Sequence, residues 1–241
     1  MPFLEQDQTR LYYEISGDGF PVLLLAPGGM RSAIPFWENM PWNPIDRLKN
    51  DFRVIAMDQR NAGQSTADVG PSDGWDSYTT DQLDLLDHLG AERCHLVGCC
   101  IGGSFIANFL MRAPERVASA VLIQPIGSTV ENQPAFSELF DGWAAELKPN
   151  QPQVPDSSWS TYKNNMFGGD FMYCATREDI QGLTTPMLVL MGNDMYHPEE
   201  TSREVARLAP AAELIENWKE PETAEEGAKR VAEFLRQHSP S

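Results

Sequence analysis

Gly98-Cys99-Cys100-Ile101-Gly102-Gly103 is the stretch whose reading decides the fold. The apolar run His95-Leu96-Val97 precedes it and reads as a strand. Ser104-Phe105-Ile106-Ala107-Asn108-Phe109-Leu110-Met111 follows and reads as a helix. A strand that breaks at Gly-x-Cys-x-Gly and passes directly into a helix lifts one side chain above the sheet edge. The flanking glycines let strand and helix approach closely. The lifted residue is Cys100, in the slot that Ser ordinarily holds, so its sulfur is the candidate nucleophile. The N-terminus of the following helix favours the thiolate. Cys99 fills the variable position of the turn and is expected to pack.

Working outward, strands and helices alternate. Leu11-Tyr12-Tyr13-Glu14-Ile15-Ser16 alternates like a strand and stops at Gly17-Asp18-Gly19. Val22-Leu23-Leu24-Leu25 and Phe52-Arg53-Val54-Ile55-Ala56-Met57 are apolar runs, as strands covered on both faces require. Residues 78–89 read as a helix ended by Gly90, and Val117-Ala118-Ser119-Ala120-Val121-Leu122-Ile123 as the next strand. This interleaving predicts a mainly parallel α/β sheet flanked by helices.

Between residues 128 and 181 the strand rhythm is lost. Residues 136–147 are an amphipathic helix, 148–155 a Pro-rich break, and 159–178 a second helix interrupted by Gly168-Gly169. The expected organisation is a core of residues 1–127 and 182–241 with a small helical cap, residues 128–181, inserted in it. After the cap, Met187-Leu188-Val189-Leu190-Met191 is a strand, 199–208 a helix, 212–215 a short strand and 223–237 a closing helix.

Bulk properties narrow the function. The chain has 241 residues, 35 acidic against 18 basic, for a formal charge of -17. A surface this acidic repels nucleic-acid backbones and anionic lipid, so neither is an expected partner. No apolar run approaches the roughly 18 residues of a membrane span, and the N-terminus lacks the pattern of a secretory signal. The cysteines Cys94, Cys99, Cys100 and Cys174 fit neither a zinc site nor a secreted disulfide framework. Reduced thiols in a cytoplasm are expected, with no metal or cofactor. A small molecule is the expected partner, and a homodimer stays open.

Four stretches in this order resemble the α/β-hydrolase superfamily across nearly the whole chain. Leu23-Leu24-Leu25-Ala26-Pro27-Gly28-Gly29 stands where that superfamily has a His-Gly oxyanion loop. Asp58-Gln59-Arg60-Asn61-Ala62-Gly63-Gln64-Ser65 resembles its Asp-x-Arg-Gly-x-Gly-x-Ser turn. Gly98 to Gly102 is its nucleophile turn. Gly192-Asn193-Asp194-Met195-Tyr196-His197-Pro198, after a strand, resembles the loop that delivers the catalytic acid. A Cys in the turn is similar to the dienelactone hydrolases, which use a Cys-His-Asp triad. The remainder is similar to capped ester hydrolases.

The resemblance implies the following roles. Cys100 attacks a carbonyl. The backbone N–H of Ile101 and that of Gly28 or Gly29 hold the oxyanion. Asp194 is the acid partner. The superfamily places its His in the loop after the last strand, but here that loop reads Ile215-Glu216-Asn217-Trp218-Lys219-Glu220-Pro221 and holds none. Of the four histidines, His88 ends a helix, His95 opens a strand at the far end from the chemistry, and His238 is in the tail. His197 is left as the candidate base, with Lys219, or neither residue, as the alternatives. A thiol tolerates the loss of the standard His better than a hydroxyl does, because it is partly ionised near neutral pH. Met30, Arg31, Trp37, Trp143 and Phe167 are the candidate pocket residues, and Arg31 could pair with a substrate carboxylate. The implied activity is hydrolysis of a small or medium apolar ester, lactone or thioester through an acyl-cysteine. Acyl transfer by the same intermediate, or ligand binding without turnover, are the alternatives.

Overall fold

The computed structural model describes residues 2–240. Nine strands among these residues form one sheet: β1 (Phe3–Gln6), β2 (Thr9–Ser16), β3 (Phe20–Leu25), β4 (Phe52–Met57), β5 (Thr66–Ala67), β6 (Cys94–Cys99), β7 (Val117–Ile123), β8 (Met187–Leu190) and β9 (Ala212–Ile215). Their order is β1-β2-β4-β3-β6-β7-β8-β9, with β5 paired to β2. All neighbours from β4 to β9 are parallel, and β1, β2 and β5 pair antiparallel. This is the expected mainly parallel α/β architecture.

The helices are α1 (Pro44–Leu48), α2 (Trp75–His88), α3 (Ile101–Arg112), α4 (Gln133–Leu147), α5 (Asp156–Phe167), α6 (Arg177–Gly182), α7 (Glu199–Leu208) and α8 (Ala224–Gln237). Side chains alternate faces along a strand, and each run of the sheet feeds two cores. Leu23, Leu25, Ile55, Met57, Leu96 and Leu122 pack on one face with Leu85 and Leu86 of α2, Phe105 and Phe109 of α3, and Val205 of α7. Val22, Leu24, Val54, Ala56, Val97, Cys99, Val121 and Ile123 pack on the other with Leu48 of α1 and Val231 and Leu235 of α8. A sheet buried on both faces explains why its strands read as apolar runs rather than as alternation.

Two differences from the sequence expectation have physical reasons. β1 and β5 are short strands on the antiparallel side, without an apolar run to announce them. The helix expected over 159–178 is broken at Gly168-Gly169 as expected, but the break is longer than two glycines, because α5 ends at Phe167 and α6 starts only at Arg177. Gly168 N–H donates to Asn164 O at 2.8 Å and closes α5, and a side chain at Gly169 would collide with the Tyr173 carbonyl. Phe171 and Tyr173 then take positive φ, 49° and 63°, which no helix continues through. The segment is pinned to α3 by Ser104 Oγ donating to Met172 O at 2.9 Å. No described helix is long and apolar enough to cross a membrane.

Candidate active site

Cys100 sits between β6 and α3 with φ 61° and ψ -119°, a strained backbone for a residue with a side chain. Three glycines make the turn possible. A Cβ at Gly98 would collide with the Gly102 carbonyl, one at Gly102 with the Leu25 carbonyl, and one at Gly103 with Pro125. The turn is also bonded into its surroundings. Cys100 N–H donates to Ile123 O of β7 at 3.0 Å, and Cys100 O accepts from Gly103 N at 3.0 Å and Ile126 N at 3.3 Å.

The loop after β3 approaches the same point. Gly28 and Gly29 have φ 118° and 59°, and Gly29–Arg31 forms a tight 3-10 turn. Ser32 Oγ donates to Ala26 O at 2.6 Å and closes the base of the loop. The Asp58 turn braces it from below. Asp58 accepts from Ile34 N and Gln64 N, both at 2.8 Å, and Gln59 N donates to Ser32 O at 3.0 Å. Arg60 of that turn is buried and bonds Asp81 through two nitrogens, at 2.7 and 2.8 Å, and Asp73 at 2.8 Å.

Asp194 and His197 share the loop between β8 and α7. Asp194 Oδ1 accepts from the backbone N–H groups of Tyr196 at 2.9 Å and His197 at 3.0 Å, which winds the loop into a tight turn. The same carboxylate faces His197 Nδ1 with both oxygens, at 2.8 and 2.9 Å. This fixes the tautomer, with Nδ1–H donating to Asp194. Nε2 is buried and has no hydrogen-bond partner among the described residues. Gly192 is required because a Cβ there would collide with His197.

The electrostatics join His197 to Cys100. Burial raises the Cys100 thiol, but the His197 imidazole and the backbone N–H groups of Ile101 and Gly28 outweigh it, so the thiol lies below its ordinary range. Burial lowers His197, but Cys100 and Asp194 outweigh that and hold it above its ordinary range. Asp194 lies below the usual carboxylate range, because its bonds to His197 and Tyr196 outweigh burial. The other thiols behave oppositely. Burial pushes Cys94 and Cys174 up to about 12 and Cys99 well above the ordinary value. Of the four thiols, Cys100 alone is shifted toward the thiolate, and His197 is shifted toward the imidazolium.

A pocket of about 270 Å³ opens over Cys100, lined by Gly28, Gly29, Met30, Arg31, Cys100, Phe136, Leu139, Tyr196 and His197. Met30 and Arg31 line it as the sequence suggested. Trp37, Trp143 and Phe167 do not. Trp37 is fully buried in the core on the opposite sheet face. Trp143 is buried among the aromatics of α4 and α5, with Nε1 donating to Asn61 O at 3.0 Å. Phe167 stacks behind Phe136 at 5.5 Å between ring centres. Lys219 Nζ donates to Gln124 Oε1 at 3.2 Å, and the thiol its charge acts on is Cys99. His95 is buried and bonds Ser119 and Ser239, away from the site.

Phe136, Leu139, Tyr196 and Asn132 were missed from sequence. The i, i+3 spacing of Phe136 and Leu139 on one face of α4 was the available signal. Asn132 is buried, and its Nδ2 donates to Gly127 O at 2.8 Å and Met195 O at 2.9 Å, which ties the His197 loop to the exit of β7. No sequence pattern marks that role.

A sheet of this order, with a strained residue on the β6–α3 turn facing a His–Asp pair, defines a hydrolase-type scaffold. The profile of the alpha/beta hydrolase fold matches residues 21–167, and the chain belongs to that family. Carboxylesterase YbfK of Bacillus subtilis is 26% identical over 221 residues, covering 82% of this chain and 73% of that one. The bifunctional esterase/perhydrolase DCH of Acinetobacter calcoaceticus is 28% identical over 208 residues, covering 71% and 73%. The enol-lactonase from Burkholderia xenovorans LB400 superposes with a TM-score of 0.71 at 22% identity, covering 98% of this chain and all of that one.

Proposed function

We propose that the protein hydrolyses small carboxylic esters, lactones or thioesters through an acyl-Cys100 intermediate. The observation that carries this is His197, whose Nδ1 is held by both oxygens of Asp194 and whose buried Nε2 is left without a partner in the pocket that His197 lines together with Cys100. The relatives named carboxylesterase, esterase/perhydrolase and enol-lactonase support the same bond class.

The Cys100 thiolate attacks the carbonyl carbon. The carbonyl oxygen takes the negative charge and accepts from the Ile101 and Gly28 N–H groups, which already act on this point. On collapse the C–O or C–S bond breaks, and the leaving group takes the proton from His197 Nε2. Water then gives a proton back to Nε2 and its oxygen attacks the thioester, releasing the acid and the thiolate. Asp194 holds the ring and its charge throughout. Residues 128–181 act as the cap, supplying Phe136 and Leu139 to the pocket wall. The pocket volume of about 270 Å³ suits an acyl group of modest size. The four free thiols fit a reducing cytoplasm.

The test is intact-mass and peptide mass spectrometry during turnover of phenyl acetate. An acetyl group on Cys100 that forms and decays is expected, with none in Cys100→Ala. Full turnover by Cys100→Ala, or an adduct on another residue, overturns the assignment. His197→Ala should lose turnover and Lys219→Ala keep it; the reverse pattern moves the base to Lys219.

A further inference from the structure

Among the residues that line the pocket, Arg31 alone carries a permanent charge, and it is positive in a chain of formal charge -17. Arg31 lies in the turn that begins at Gly28, and its backbone N–H donates to Gly28 O at 3.1 Å. Its position relative to the reacting carbonyl is therefore set by the same turn that supplies the Gly28 N–H. The guanidinium is engaged by one group, the Glu146 carboxylate near the end of α4, with Nε to Oε2 at 3.2 Å and Nη2 to Oε1 at 2.7 Å. Both ends are solvent-accessible, 35% for Arg31 and 65% for Glu146.

This two-pronged geometry is the one by which an arginine recognises any carboxylate. An accessible ion pair contributes little net stability, so exchanging Glu146 for another carboxylate is inexpensive. A carboxylate held inside the pocket mouth is less hydrated than one on the surface and interacts more strongly with the same guanidinium. The direction of the substrate follows from the proton path. In the proposed mechanism His197 protonates the leaving group, which turns that half of the substrate toward His197 and Tyr196 and leaves the acyl half the part of the pocket that carries Arg31.

We propose that the pocket selects substrates whose acyl half ends in a carboxylate, with Arg31 as the anchor and Glu146 as an internal competitor for it. The proposal rests on the acyl-Cys100 reading and goes beyond it by naming the substrate class and two specificity-determining residues.

Two esters of equal chain length test it: phenyl hydrogen adipate and phenyl hexanoate, compared by kcat/KM from phenol release. The readout is the ratio of the acidic to the neutral ester. Arg31→Gln should lower that ratio about 10- to 100-fold, the usual effect of losing a charge-assisted pair. Glu146→Gln, on the exposed face of α4, should raise it about 2- to 5-fold. A ratio unchanged by both variants, or lowered by Glu146→Gln, overturns the proposal. If the wild-type protein cleaves neither ester, the hydrolase reading fails separately, and calorimetry with N-phenyladipamic acid and N-phenylhexanamide decides the anchor. Tighter binding of the acid that Arg31→Gln abolishes upholds it; equal binding of the two amides overturns it.

Discussion

His197→Ala should make Cys100 a markedly poorer nucleophile, and the structure sets the size of the effect. The Cys100 thiol lies low despite burial because His197, Ile101 N–H and Gly28 N–H stabilise the thiolate. Removing the imidazole deletes one charge-assisted contact of about 1.5–3 kcal/mol, which makes the thiolate about 10- to 150-fold rarer at neutral pH. A more basic sulfur is intrinsically more nucleophilic and regains about half of this on a logarithmic scale. Alkylation by iodoacetamide at pH 7 should therefore slow about 3- to 12-fold. The sign changes with pH. Once both proteins are fully ionised the variant has the more reactive sulfur, so the two rate curves cross in the alkaline range. The assay is the rate of carbamidomethylation of the Cys100 peptide by mass spectrometry from pH 5 to 10. Cys174, which burial pushes up to about 12, is the internal reference and should react slowly in both. Equal Cys100 rates in the two proteins between pH 6 and 8, or Cys174 reacting alongside Cys100 in the wild type, would refute the reasoning.

Arg60→Met leaves Asp73 and Asp81 buried without their cation and should cost about 3–5 kcal/mol in urea unfolding at pH 7. Burial already raises Asp81, and without Arg60 to counter it the folded-state value rises further above the unfolded one. The loss should therefore shrink as the pH is lowered and Asp81 takes up a proton, and a loss that grows in acid would contradict this account. Gly98→Ala drives a methyl group into the Gly102 carbonyl and the Ile106 side chain, and should destabilise by about 1–3 kcal/mol while displacing Cys100. A wild-type unfolding midpoint together with a wild-type Cys100 alkylation rate would show that the turn has slack it is not expected to have.

The parallel strands were legible because a sheet covered on both faces writes itself as short apolar runs, and β3, β4, β6 and β7 do so. The Cys100 turn was legible because glycine is demanded at three positions, by backbone carbonyls at Gly98 and Gly102 and by the Pro125 ring at Gly103. His197 emerged by elimination among four histidines, but its partnership with both oxygens of Asp194 depends on a loop conformation that spacing does not encode. The pocket wall was legible only in part. Hydropathy announces that Trp37 and Trp143 are buried, yet a tryptophan looks the same whether it faces the site or the far core. Trp37 went to the far face of the sheet and Trp143 into the helical insertion. Gly168-Gly169 marked the break after α5, but its extension to residue 176 was not legible, since aromatic residues seldom take the positive φ that Phe171 and Tyr173 adopt.

On the proposed mechanism, the histidine missing from the loop after β9 is relocated rather than lost. Asp194 and His197 lie three residues apart, and the backbone bonds that wind their loop use the same carboxylate that holds the ring. The geometry of acid and imidazole is thereby local, instead of depending on two loops meeting. The loop after β9 is then free to do something else, and its residues show what. Trp218 is buried and donates Nε1 to Met191 O at 2.8 Å, while Met191 N donates to Ile215 O at 2.9 Å. Both bonds grip the end of β8, immediately before the turn that carries Asp194 and His197. Lys219, next in the chain, bonds Gln124 at the end of β7. The loop without a histidine thus braces the root of the loop that has one. A buttress of this kind matters more here than in a divided arrangement, because any tilt of the single loop moves the carboxylate and the imidazole together relative to Cys100.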